Sequence, residues 1–130
     1  MHEARKAKKQ NEVPVGCVIV KNNKIISKAH NTKQKTHNCT NHAEINAIIK
    51  AERKLRDWRL DDCDLFVTLE PCKMCMEVIR QARIKRVYYL LHTNFNNEDH
   101  KIIEKKLLED YEIYKTNYQH LLSDFFNSKR

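Results

Sequence analysis

Two short apolar runs with a helical segment between them constrain this chain most. Leu65 to Leu69 and Val87 to Leu91 read as buried strands, and Pro71 to about Ala82 between them reads as a helix. A strand, a helix and a strand in that order place the strands in parallel, with a right-handed crossover. Proline suits the first turn of that helix, because its missing N–H would be unsatisfied there anyway. Upstream, Val15 to Val20 is a valine- and isoleucine-rich strand. Lys21-Asn22-Asn23-Lys24 reads as a hairpin turn, and Lys24 to Lys28 as the returning strand. Glu3 to Gln10 is a short helix with basic residues on much of its surface, and residues 29–41 form a polar loop. His42 to Arg56 is a helix with Ile45, Ile48, Ile49 and Leu55 at helical spacing and Asn41 as its N-cap. Lys101 to Leu108 reads as a short amphipathic helix and Tyr111 to Tyr114 as a last strand. Asn117 to about Asn127 reads as a helix that buries Tyr118, Leu121, Leu122, Phe125 and Phe126. The expectation is an α/β domain over 1–130, with helices on both faces of a five-stranded mixed sheet.

Composition enters through what it excludes. With 130 residues there is room for one domain, and 41% hydrophobic residues are too many for a disordered chain. The longest nearly unbroken apolar run, Val13 to Val20, is far short of the roughly 20 residues that span a bilayer. The charged N-terminus lacks a signal-peptide stretch, so the expected location is cytoplasmic, with no membrane partner. Five cysteines in a chain with no export signal do not read as a disulfide framework. The net charge is +8, and it falls in the front two-thirds: residues 1–86 carry +9 and residues 87–130 carry −1. Such a balance suits a polyanionic partner, although solubility alone accounts for it equally well. The single glycine leaves turns to asparagine, which tolerates left-handed backbone.

Chemistry concentrates in three residues. Cys72 and Cys75 stand three apart at a helix start and share a face. The helix N-terminus favours negative charge and so the thiolate. His42 also stands at a helix start. Two thiolates and an imidazole are zinc-type ligands, and three protein ligands leave a fourth position open. Glu44, two residues past His42, is turned away from direct coordination but can lean over that position and carry protons. The pattern His42-Ala43-Glu44 with Pro71-Cys72-Lys73-Met74-Cys75 is the H-x-E and P-C-x-x-C signature of zinc nucleobase deaminases. A redox role for Cys72 and Cys75 is the plainer reading of a lone C-x-x-C, and the upstream His-Ala-Glu weighs against it.

With these residues in place the sequence resembles the bacterial-type tRNA adenosine deaminases of the cytidine and deoxycytidylate deaminase superfamily. The resemblance runs through Asn11-Glu12-Val13-Pro14-Val15-Gly16, Asn31, the segment from His42 to Ile48, Trp58-Arg59-Leu60, the segment from Val67 to Met76, and Leu121-Leu122-Ser123-Asp124-Phe125-Phe126. It implies a cytidine-deaminase-like α/β/α sandwich of three layers, one zinc per subunit held by His42, Cys72 and Cys75, and a homodimer. It implies hydrolysis of the wobble adenosine of a tRNA anticodon to inosine. Glu44 would move a water proton to N1 of the flipped-out base and then help ammonia leave. Asn31 and backbone groups near Ala43, Glu70 and Pro71 would hold the base, and the partner would be the anticodon stem-loop. One stretch departs from the family: Leu90-Leu91-His92-Thr93-Asn94-Phe95-Asn96-Asn97 replaces a Gly-Ala-Arg-Asp loop and the glycine-rich run after it.

Two other readings stand beside this one. The altered loop admits a deaminase of a free base or nucleotide, of guanine or cytosine type. A zinc-stabilised RNA-binding module without catalysis would need His37, Cys39 or Cys63 as a fourth ligand. Cys17, Cys39 and Cys63 read most simply as packing residues. Lys33, Lys35, Arg53, Lys54, Arg56 and Lys73 form either a phosphate-binding surface or a solvated one.

Overall fold

The computed structural model describes residues 1–93 and 111–129. In chain order the described elements are α1 (His2–Lys9), β1 (Gly16–Lys21), β2 (Lys24–His30), α2 (Lys33–Thr36), α3 (Ala43–Leu55), β3 (Cys63–Leu69), α4 (Lys73–Gln81), β4 (Arg86–Leu91) and α5 (Tyr111–Asn127). The expected helix over Lys101 to Leu108 and the loop over 94–97 lie outside the described residues.

Among the described residues the sheet has four strands in the order β2-β1-β3-β4. β1 pairs antiparallel with β2 and β3, while β3 and β4 run parallel across α4, as their sequence order requires. The expected fifth strand at Tyr111 to Tyr114 is instead the first turn of α5. The reason is periodicity: Tyr114, Tyr118, Leu121, Leu122 and Phe125 continue one helical stripe, and that stripe extends the helix past the short apolar run.

Alternation along the strands sorts side chains onto two faces. Cys17, Ile19, Leu65, Val67 and Val87 meet Ala43, Ala47, Ile48 and Ala51 of α3 and Met76 and Ile79 of α4. The opposite face carries a smaller cluster of Ala4, Leu90 and Tyr118, with Leu121 and Leu122 packed against it, so α1 and α5 lie there. Tyr118 is buried and donates its hydroxyl to the Pro14 carbonyl at 2.7 Å, which fixes α5 to the entry of β1.

Among the described residues, six other than glycine have positive φ: Asn11, Asn22, Asn23, His37, Arg56 and Arg83. Asn22 and Asn23 make the hairpin turn that the sequence predicted, since left-handed backbone at both central positions matches the strand twist. The other four end α1, α2, α3 and α4. After each helix the same pair of bonds recurs, as in Asp57 N–H to Glu52 O (3.2 Å) and Arg56 N–H to Arg53 O (3.4 Å). This is the Schellman arrangement, in which glycine usually takes the left-handed position. The one glycine, Gly16, has no positive φ; instead a Cβ there would stand 2.6 Å from the Ala4 nitrogen and 2.9 Å from Glu3 Cβ.

Equilibrium urea denaturation checks both uses of glycine. Gly16→Ala is expected to lower stability by about 3 kcal/mol through overpacking. Arg56→Gly is expected to raise it by about 0.5 kcal/mol, because relieved left-handed strain exceeds the added backbone entropy of glycine.

Candidate active site

β3 ends at Leu69, and Glu70-Pro71 leads the chain out of the sheet into α4. Cys72 is the N-cap of α4, in extended backbone, and Cys75 is the third residue of the helix. N-cap and third-residue side chains stand over the same turn, so both sulfurs point one way. The N-cap of α3 is His42, not Asn41, and His42 makes no cap bond of its own. The capping oxygen comes from Asn31, whose Oδ1 accepts the Ala43 N–H at 2.7 Å. His42 therefore keeps its ring for other partners: Nδ1 stands 3.8 Å from Cys72 Sγ and 3.4 Å from Cys75 Sγ. The three ligand atoms all lie within 4.8 Å of one another.

This donor set fits zinc. Tetrahedral coordination at ordinary Zn–S and Zn–N lengths separates sulfur from nitrogen by about 3.6 Å, which both observed separations bracket. The electrostatics agree. Hydrogen bonds from Cys75 and then His42 hold the Cys72 thiol down to about 4, so it is a thiolate at neutral pH. Its bond to Cys72 raises the His42 imidazole. The Cys75 thiol is pushed up by the neighbouring Cys72 and by burial, so a bound cation would be needed to offset the charge of a second thiolate beside the first. Among the described residues, neither His37, Cys39 nor Cys63 joins the cluster.

Glu44, in the first turn of α3, is 3% exposed, and burial raises its carboxyl above the usual range. The Cys75 thiol offsets part of that shift, and among the described residues Glu44 Oε1 has no partner. Leaving a buried carboxylate oxygen unpaired is costly, and such atoms concentrate where chemistry needs them. The Cys17 thiol, fully buried, is pushed up by that burial and by the charge of Glu44.

The residues expected to hold a base divide. Asn31 and Ala43 are bonded to each other, so the Asn31 oxygen is committed and its Nδ2 is the group left to offer. Asn31 also lines a cleft of about 450 Å³ with Glu12, Val13, Lys33, Gln34, Phe125 and Lys129. Glu70 and Pro71 are not among that lining. The buried Glu70 carboxylate accepts the Thr93 N–H at 2.8 Å, and its own N–H donates to the Leu91 carbonyl at 2.9 Å. Sequence reasoning passed over Glu12. Its carboxylate is 1% exposed and accepts the N–H groups of Gln34 and Lys35, both at 2.8 Å. Its sequence signals are its place in the Asn11-to-Gly16 segment shared with the family and an acid set beside apolar residues at the approach to a strand.

The profile of the cytidine and deoxycytidylate deaminase zinc-binding region matches residues 1–91. The chain belongs to the cytidine and deoxycytidylate deaminase family. A tRNA-specific adenosine deaminase of Streptococcus pyogenes serotype M18 (strain MGAS8232) is 45% identical over 89 residues, covering 68% of this chain and 56% of that protein. The match therefore spans little more than half of that relative. The tRNA-specific adenosine deaminase of Aquifex aeolicus (strain VF5) is 37% identical, over the whole of this chain and 91% of its own. A solved structure from studies of A-to-I editing by tRNA:A34 deaminases is 42% identical. It superposes with a TM-score of 0.69 over 71% of each chain. The family's zinc-binding region thus coincides with the part of the chain that carries His42, Cys72 and Cys75, on an α/β fold of cytidine-deaminase type.

Removing the metal tests the site. One zinc per chain is expected by metal analysis. A chelator should lower stability by about 2.7 kcal/mol or more where zinc stood at a hundredfold excess over its Kd, and added zinc should restore it. Cys75→Ser should abolish that response in thermal melts.

Proposed function

We propose that this chain is a zinc-dependent deaminase that hydrolyses the wobble adenosine of a tRNA anticodon to inosine, releasing ammonia. One observation carries the chemistry: three candidate ligands converge, and a buried carboxylate two residues from His42 keeps one oxygen without a partner among the described residues. The substrate reading draws on the whole-length relative named tRNA-specific adenosine deaminase and on the A34 deaminase structure.

His42, Cys72 and Cys75 would hold the metal, which when bound lowers the pKa of water from about 15.7 to about 7. Everything else falls to the protein. Glu44, buried and shifted towards neutrality, is suited to take a proton from water, pass it to N1 of the adenine and later help the leaving ammonia. The cleft beside Asn31 has none of His42, Glu44, Cys72 and Cys75 in its lining, so it would receive RNA flanking the base that is turned out of its stack. Asn31, which lines that cleft and also caps the helix carrying Glu44, would offer Nδ2 to the base. Lys33 and Lys129 at the cleft would meet phosphate. Ala43 serves through its cap bond with Asn31, and Glu70 and Pro71 through the turn that delivers Cys72. We read residues 1–130 as one deaminase unit that acts in the cytoplasm as a homodimer. Among the described residues no helix is long and apolar enough to cross a membrane. The half-exposed Ile49 on α3 is available to a second copy.

Zinc-loaded protein incubated with tRNA from its own source is expected to yield inosine at the first anticodon position. Ammonia from free guanine or cytosine, with no inosine in any tRNA, would overturn the assignment. Glu44→Ala is expected to keep one zinc and the fold while losing 10²- to 10⁴-fold in kcat, roughly what general acid–base catalysis contributes. Loss of zinc from that variant would remove Glu44 from its proposed role.

A further inference from the structure

Glu12 lies just past the end of α1, and its backbone is fixed there. Asn11 takes the left-handed position, and the Glu12 N–H returns to the Ala7 carbonyl at 2.9 Å. The side chain is then carried inward until it is 1% exposed. A buried carboxylate normally needs a cationic partner to offset its lost hydration. Among the described residues no lysine or arginine forms an ion pair with Glu12. Both of its oxygens are spent on backbone: Oε1 on the Gln34 N–H and Oε2 on the Lys35 N–H, each at 2.8 Å. Charge-assisted bonds of this kind are short and strong, and they replace water at the carboxylate.

What Glu12 holds is α2, a helix of four residues with no buried side chain, whose N-cap Thr32 makes no side-chain cap bond. A turn this short gains little from its own hydrogen bonds. Committing a buried charge to it makes sense where the position of the segment matters. The base of that segment is held separately. The Asn46 side chain donates to His30 O and to Thr32 Oγ1, at 3.0 Å each, and Asn31 bonds to Ala43. Glu12 is the tie at the far side, and it lines the same cleft as Asn31, Lys33 and Gln34.

We infer that Glu12 is a positioning residue for substrate: its carboxylate clamps the 31–36 segment so that Asn31 and the Lys33–Gln34 wall meet the RNA in one fixed arrangement. The inference rests on the deaminase reading above. It makes a prediction that a purely structural role does not. None of Glu12's hydrogen bonds involves His42, Glu44, Cys72 or Cys75, so loss of the clamp falls on substrate binding and spares the chemical step.

Glu12→Gln keeps the shape and one acceptor oxygen, but sets an amide NH₂ against the other backbone N–H. With an anticodon stem-loop RNA bearing adenosine at the wobble position, this variant is expected to raise KM at least tenfold. It should change kcat less than threefold and keep one zinc per chain. Amide hydrogen exchange at Gln34 and Lys35 should speed up at least tenfold, with the amides of α3 unchanged. Glu12→Ala should exceed it on both counts; if that variant does not fold, the glutamine variant still decides. An unchanged KM in folded, zinc-loaded Glu12→Gln, or a fall confined to kcat, overturns the positioning role. If the unaltered protein makes no inosine, the deaminase reading fails instead. The exchange rates of Gln34 and Lys35 then decide whether the clamp exists.

Discussion

Two helix N-termini brought to one point organise this molecule. α3 and α4 lie side by side on one face of the sheet, and both begin at the site, with His42 and Cys72 at their N-cap positions. Each helix start carries partial positive charge from unpaired N–H groups, so their meeting asks for negative charge between them. The chain supplies it with sulfur. The parallel β3-α4-β4 unit places Cys72 at the exit of a strand, where open α/β sheets leave room for ligands. The antiparallel β1 and β2 then bring Asn31 to the start of α3. Sheet order, cap positions and ligand geometry are one arrangement seen at three scales.

The buried acids show how the chemistry is set apart from the scaffold. Glu3, Glu12, Glu44 and Glu70 are all buried. Glu3 pairs with His30 and Lys6, Glu12 with two backbone N–H groups, and Glu70 with the N–H and hydroxyl of Thr93. Each is compensated as a buried carboxylate must be. Among the described residues, only Glu44 has a buried side-chain oxygen with no partner. Three acids hold parts of the scaffold together, Glu12 and Glu70 through backbone N–H groups and Glu3 through side chains, and the fourth is kept short of a bond close to the metal ligands.

Local signals made much of this readable. Asn22-Asn23 specified its turn because few residues accept two consecutive left-handed positions. Pro71 and the apolar runs on either side specified a parallel pair. His42, Cys72 and Cys75 were readable as ligands because zinc restricts both residue type and spacing, and the structure brings their donor atoms together. Long-range bonds were not readable. The cap of α3 comes from Asn31 rather than the adjacent Asn41, the clamp on α2 comes from Glu12, and Tyr118 reaches Pro14 across 104 positions. Nothing in a local window encodes such partners. The Tyr111 to Tyr114 stretch misled for a related reason: four residues fit either period, and the stripe that follows decides between them.

Glycine does two jobs in proteins, and here they come apart. It permits backbone that other residues resist, and it leaves room where any side chain would collide. Asparagine, histidine and arginine perform the first job six times among the described residues. The second admits no substitute, and the lone glycine is where α1 rests directly on β1. A chain drawn from so restricted an alphabet shows which of glycine's properties a fold can replace at modest energetic cost, and which it must keep as empty space.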